Sequence, residues 1–370
     1  DHISKYVDIE VISPNHSEGM IFNYNLDENV IYGKNWIIRL YKKIKIPFIA
    51  SAIYLLYSYN LNLKKFKPDI IHIESDPFTP IFWQTYLYKK LFCDKAKIVC
   101  TIKQNTITKR NFILDKIKKI IGIFFSNKVD RFIAVNKGVE AIYNNYFNVP
   151  LDKILQSTQL GVDTKLFINI DDRKKQLIRE EFGFCKGDII IGYVGRLAQY
   201  KGLPELIEVS KKISNAIQGK LAIVGDGPML DEIKNLSKET KNIIFYLGTM
   251  QHSKISRFLQ SIDIFVMPSR GFLNHEEHDS HALLEAMSTG VPCIATKSGS
   301  NIDVLSKNGV MIESENTIEL YNAILKIYKD KKLYSILSSR NREMITKNFS
   351  LEKVASNYNQ VYQMVIKNDK

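Results

Sequence analysis

Two glutamates, Glu277 and Glu285, bracket the seven residues His278-Asp279-Ser280-His281-Ala282-Leu283-Leu284. Ser280 is a good helix N-cap, so a helix starting there leaves Glu277 on the preceding loop and carries Glu285 inside the helix. The free N–H groups of His281, Ala282 and Leu283 lie between the two carboxylates. Carboxylates accept hydrogen bonds from hydroxyls, and helix-end amides donate to anions. The layout therefore suits a ligand that alternates hydroxyls and phosphate. Ser269, in Met267-Pro268-Ser269-Arg270, opens the loop that leads there.

Two further clusters carry phosphate chemistry. Gly192-Tyr193-Val194-Gly195-Arg196-Leu197 ends an apolar strand on a glycine followed at once by a cation, and Lys201-Gly202 follows. Ligands of open α/β sheets bind outside the carboxyl ends of strands, which points Arg196 at the ligand side. Gly195 allows close backbone approach, and Lys201 adds a second positive charge suited to a diphosphate. An ordinary turn with surface cations is the equal alternative on spacing alone. Leu221-Ala222-Ile223-Val224-Gly225-Asp226-Gly227-Pro228 reads as a strand, a tight glycine turn through Gly225 and Gly227, and a helix entered at Pro228. The Glu277/Glu285 layout offers the order of groups in a nucleotide sugar, namely sugar hydroxyls, diphosphate and ribose hydroxyls, while a solvated helix face is the favoured alternative for two spaced glutamates by themselves.

The elements that must hold these residues alternate. Strands are expected at 7–13, 67–73, 97–102, 131–135 and 154–160, with helices at 36–62, 80–92, 112–126 and 137–147 between them. The alternation restarts with strands at 189–194, 220–224, 243–247, 262–267 and 293–296. Helices at 173–182, 203–217, 229–238, 252–260 and 280–289 are interleaved with these, and helices at 317–327, 331–346 and 350–367 follow. Such a pattern predicts two α/β, doubly wound parallel-sheet domains.

The ordered motifs resemble glycosyltransferase family 4, the group 1 glycosyl transferases with the GT-B fold. The resemblance is carried by Gly195-Arg196-Leu197 with Lys201-Gly202, Val224-Gly225-Asp226-Gly227-Pro228 and Phe245-Tyr246-Leu247-Gly248. Asp263-Ile264-Phe265-Val266-Met267-Pro268-Ser269, the Glu277/Glu285 pair and Gly290-Val291-Pro292-Cys293-Ile294-Ala295-Thr296 complete it. It is looser in Pro68-Asp69-Ile70-Ile71-His72 and Gly161-Val162-Asp163.

The resemblance implies two Rossmann-like domains facing across a cleft, with residues 1–165 on the acceptor side and 166–349 binding a nucleotide-sugar donor. Residues 350–370 would form a helix crossing back to the first domain. It further implies retaining hexosyl transfer with Glu277, Arg196 and Lys201 as catalytic residues. Gly195, Gly225, Gly227, Ser269, Asp279, Ser280, His281, Ala282 and Glu285 would contact the donor, with Glu285 on the ribose. No cofactor and no metal are expected, in keeping with the absence of any Asp-x-Asp. His275, His278 and His281 share one loop, which reads as a polar sugar-binding loop in preference to a metal site. His72, Lys103 and Asn105 are candidate acceptor-side residues, a core histidine being the equal alternative for His72.

The chain has 370 residues, 45% hydrophobic and 25% charged, with a formal net charge of +13, which excludes disordered and polytopic membrane classes. Its four cysteines show no CxxC spacing, so neither a disulfide framework nor a structural zinc site is expected, and a cytoplasmic setting is the simplest. Residue 1 is Asp, and the first strand and glycine-rich loop of the fold are expected to precede it. The charge is concentrated: residues 89–137 hold 13 basic and 3 acidic side chains. Lys116-Ile117-Lys118-Lys119-Ile120-Ile121-Gly122-Ile123-Phe124-Phe125 suits either a helix lying on an anionic membrane or a core helix with solvated lysines. Glycan or lipid-linked acceptors in cell-surface polysaccharide or glycolipid assembly would suit the former. Two alternatives stand beside this reading: a basic nucleic-acid-binding Rossmann-like protein, and a GT-B relative such as a nucleotide-sugar epimerase. The chain has no RNA-recognition signature, so no nucleic-acid partner is expected.

Overall fold

The computed structural model describes residues 5–7, 11–14, 30–33, 67–104, 112–157, 160–270 and 281–367. Two compact units divide the chain: Asp1–Gln159 together with Ala355–Lys370, and Leu160–Val354.

The first unit contains β1 (Val11–Pro14), β2 (Val30–Gly33), β3 (Ile70–Ile73), α1 (Pro80–Phe92), β4 (Lys97–Ile102), α2 (Phe112–Ser126), β5 (Arg131–Ala134), α3 (Lys137–Asn145) and β6 (Ile154–Gln156). β1 and β2 pair in parallel, and β3, β4, β5 and β6 form a parallel sheet in that order. Near-continuous apolar runs such as Lys97–Ile102, buried over five of six residues, are what a sheet covered on both faces requires. α1 starts at Thr79, whose hydroxyl accepts from the Phe82 N–H, with Pro80 in the first turn where its missing donor is harmless. Phe82, Trp83 and Tyr86 of α1 surround Phe125 of α2, with Trp83 stacked on it.

The second unit contains α4 (Asp172–Glu181), β7 (Ile189–Val194), α5 (Leu203–Ile217), β8 (Gly219–Val224), α6 (Leu230–Glu239), β9 (Ile244–Tyr246), α7 (His252–Ser261) and β10 (Ile264–Met267). After these come α8 (His281–Ser288), β11 (Cys293–Thr296), α9 (Asn301–Leu305), β12 (Val310–Ile312), α10 (Thr317–Lys329) and α11 (Lys331–Asn348). The parallel sheet runs β12-β11-β10-β7-β8-β9. Strand order therefore reverses between β7 and β10, the switch point at which doubly wound sheets open a crevice beyond their carboxyl ends. One core cluster on each side of the sheet fills this unit.

The last helix, α12 (Leu351–Lys367), begins in the second unit and lies mostly in the first. Its Val361, Tyr362 and Val365 are buried with Val99 of β4 and Ile133 of β5, so the expected return of the C-terminal helix to the first domain is found. The two α/β parallel sheets expected from the alternation are found as well. Three short elements were not anticipated, namely β2, α9 and β12. The expected helix at 36–62 lies outside the described residues.

Candidate donor and acceptor sites

Three loops leave the carboxyl ends of β7, β8 and β10, the three neighbouring strands around the switch point. Glycines hold them at backbone contact. A Cβ on Gly225 would stand 1.9 Å from the Gly195 carbonyl oxygen, and one on Gly227 would stand 2.5 Å from that of Leu197. Hydrogen bonds follow the same seam: Gly195 N–H donates to Val224, Leu197 N–H to Asp226 and Met229 N–H to Leu197. On the other side, Gly202 lies against the Pro268 carbonyl, 1.9 Å from its virtual Cβ, and Arg270 N–H donates to Tyr200. The β7 loop, which carries Arg196 and Lys201, is thus clamped between its two neighbours. Arg196 is exposed, and Lys201 is half-buried with its ammonium over the Tyr200 ring.

Arg270 also stands here, but its guanidinium pairs with Glu205 at 2.6 Å and Glu315 at 3.2 Å. Ser269 is buried, and its carbonyl accepts from the Thr296 hydroxyl. The two helix starts near the site differ in charge. The first turn of α6 holds Asp231 and Glu232, whereas α8 has no acidic residue in its first turn. An anion is therefore better placed at α8 than at the helix after Gly227-Pro228.

α8 carries Glu285, 8% exposed, together with exposed His281 and half-buried Ala282. A buried carboxylate needs a partner, and Glu285 has one that the sequence reading missed: Nε2 of His252, at the start of α7, lies 2.6 Å from its Oε1. That hydrogen bond, strengthened by the charges of Glu285 and Asp163, raises the His252 pKa against the opposing effect of burial. The two residues are 33 positions apart, and the lone available signal was a histidine just past Leu247-Gly248. Glu277, Asp279 and Ser280 lie outside the described residues, as do His275 and His278. Among the described residues no three His, Cys, Asp or Glu side chains gather as a metal site would require.

In the first unit, the carboxyl ends of β3 and β4 hold a polar network. His72 Nδ1 is 2.7 Å from the Tyr362 hydroxyl and Nε2 is 2.7 Å from Thr101 Oγ1. Burial lowers its pKa to about 4, so the ring is neutral at pH 7 and engaged at both nitrogens. The side chains that reach solvent are Glu74 and Lys103, 3.9 Å apart. Burial raises the Glu74 carboxyl, opposed by Lys103 and Thr101. Asp76 accepts from the Tyr143 hydroxyl and from Lys103 N–H, fixing the start of the loop after β4. Asn105 lies outside the described residues.

Two parallel-sheet α/β units with a glycine-clamped switch point and a returning C-terminal helix define the GT-B class. Residues 174–344 match the family described as glycosyl transferases group 1. The chain is 26% identical over 315 residues to the N-acetyl-alpha-D-glucosaminyl L-malate synthase of Bacillus anthracis, covering 82% of this chain and 76% of that one. It is 28% identical over 337 residues to an Escherichia coli UDP-Gal:alpha-D-GlcNAc-diphosphoundecaprenol alpha-1,3-galactosyltransferase, covering 86% and 80%. Among solved structures it is similar in fold to Anabaena HepE in complex with UDP (TM-score 0.69, 15% identity, 90% of this chain and 85% of that one). Over residues 174–344 the chain is thus similar to the group 1 glycosyl transferases, and its full-length relatives carry glycosyltransferase names.

Proposed function

We propose that this enzyme transfers a hexosyl group, with retention of anomeric configuration, from a nucleotide-diphosphate sugar to a glycan or lipid-linked acceptor in cell-surface polysaccharide or glycolipid assembly. The observation that carries the reading is the clamped β7 loop, which presents Arg196 and Lys201 at the switch point of the sheet. In this reading the two cations neutralise the diphosphate as it leaves, and Glu285 accepts from the ribose hydroxyls. Glu277 orients the donor sugar near the reacting carbon, while Asp279, Ser280, His281, Ala282 and Ser269 complete the donor site. The acceptor oxygen bonds to the anomeric carbon on the face from which the phosphate departs. A departing phosphate oxygen takes the acceptor's proton. No metal is needed for this step, because fixed cations and helix-end amides supply the positive charge.

A membrane-proximal acceptor is favoured by the outer face of α2, where Ile117, Ile120 and Phe124 are exposed at helical spacing, and by exposed Leu87 and Leu91 on α1. A cavity of about 540 Å³ beside the end of α1 is lined by Lys89, Lys90, Lys95, Lys97 and Lys128 against Asp94 and Asp130. No described helix is long and apolar enough to cross a bilayer, so the association is peripheral in this reading. A nucleic-acid role leaves the exposed apolar stripe without a purpose.

The deciding experiment is a screen of UDP-, GDP- and ADP-sugars for hydrolysis or transfer. One donor class should turn over, and loss of Arg196 or Lys201 should lower the rate roughly 10²–10³-fold. Glu277→Ala should abolish transfer while nucleotide binding persists. No turnover and no nucleotide binding with any class would refute the enzyme reading. Binding to anionic vesicles should fall with salt and with Ile120→Ser or Phe124→Ser. Lys118 and Lys119 lie over the Phe78 and Tyr146 rings, so neutralising them also removes packing contacts.

A further inference from the structure

Glu285 presents a difficulty for the donor it is proposed to hold. A lone carboxylate close to a diphosphate repels it, and burial strengthens that repulsion. The second unit answers this with His252. Its ring meets Glu285 Oε1 at 2.6 Å, and its position is fixed from the other side by Phe167, edge-on with ring centroids 4.9 Å apart. The imidazole itself stays open to solvent, with its side chain 60% exposed against 10% for Glu285. A ring held on two sides yet open to solvent is placed to act on a bound ligand through the carboxylate it grips.

We infer that His252 is a positioning residue for donor binding: it fixes one carboxylate oxygen of Glu285, leaves the other for the ribose diol, and cancels the Glu285 charge against the donor diphosphate. The inference rests on the reading that Glu285 binds the ribose. The charged groups that face the ring are few. Glu285 approaches from α8 and Asp163 from the segment that opens the second unit. Arg342 of α11 is engaged instead by the carbonyls of Thr164, Phe167 and Ser288. Both acidic neighbours favour the imidazolium. As the ring loses its proton, the His252–Glu285 pair passes from neutral to a net negative charge. Nucleotide affinity should therefore fall as pH rises through the imidazole's titration, while the ring's exposure keeps the change modest.

The test is calorimetry of UDP, GDP and ADP, and of their 2′-deoxy forms, across the titration range. The nucleotide that binds should weaken several-fold from the acid to the alkaline end. It should outbind its 2′-deoxy form by about tenfold, the worth of a hydrogen bond to a charged group. His252→Gln keeps a hydrogen-bond donor but no titrating charge, so it should bind at the weaker level at every pH. His252→Ala should also lose most of the ribose discrimination, with its melting temperature serving as the check on folding. Wild-type affinity, pH profile and 2′-deoxy discrimination in both variants would overturn the inference. Glu285→Gln separates the two levels. If it discriminates against the 2′-deoxy form as the wild type does, the ribose reading itself fails. If it loses that discrimination while both His252 variants keep wild-type behaviour, the failure is confined to His252.

Discussion

Gly202 has a left-handed backbone, φ 71°, directly after Lys201, and its Cα faces the Pro268 carbonyl. A methyl group there meets backbone rather than a side chain that can turn away. The left-handed conformation alone costs a non-glycine residue roughly 1–2 kcal/mol. Gly202→Ala should therefore lower the melting temperature and, by shifting Lys201, reduce turnover by about 10²-fold. Unchanged melting and kinetics would show that the β7 loop is not clamped as described. At this scale the glycine turns beside Arg196 and the helix that carries Glu285 were legible from spacing. Contacts between distant residues are not. His252 meets Glu285, and Tyr362 meets His72, only because strands and helices bring them together. A histidine's partner leaves no trace in its own neighbourhood.

Among elements, α4 is tied to the sheet by charge. Asp263, just before β10, accepts from Lys175 at 2.9 Å, from Arg179 at 2.5 Å and from the Ile190 N–H at 2.8 Å. Burial pushes its carboxyl up, but Lys175 and Arg179 outweigh burial and hold it below the ordinary range. Asp263→Ala strands a buried arginine, at a cost of about 3–5 kcal/mol in urea titrations. Because the folded pKa is depressed, this contribution is fully present above the unfolded carboxyl pKa. It is lost as pH falls from about 4 through the folded value. The acid limb of stability should accordingly flatten in the variant. Helices of ten or more residues were legible because their apolar period repeats several times. The three-residue strand Val310–Ile312 and the five-residue helix α9 are too short to show a period, and packing against β11 defines them.

At the scale of the molecule, the first unit depends on α12. The Tyr362 hydroxyl is the partner of His72 Nδ1, and both groups are largely buried. Tyr362→Phe leaves that nitrogen without a partner, at a cost of about 1–3 kcal/mol. It should lower the melting transition of the first unit and spare that of the second. A single transition shifting as one would contradict the division into units. His72 also sets a pH window. Its folded pKa of about 4 lies below the unfolded value, so its contribution is present above about pH 6.5 and is lost as pH falls towards 4. Net charge and two alternating halves were readable from the sequence. Which of the basic residues between 89 and 137 stay in solvent was not, since Lys118 and Lys119 are drawn over aromatic rings that other segments supply.

The first unit is interrupted in the sequence by the whole of the second. A ribosome therefore releases β3 to β6 well before Val361, Tyr362 and Val365 exist to cover Val99 and Ile133. The second unit is continuous and can close while synthesis proceeds. The nascent first half waits with an apolar sheet face uncovered. It is the stage at which a chaperone has something to hold, and α12 ends that exposure.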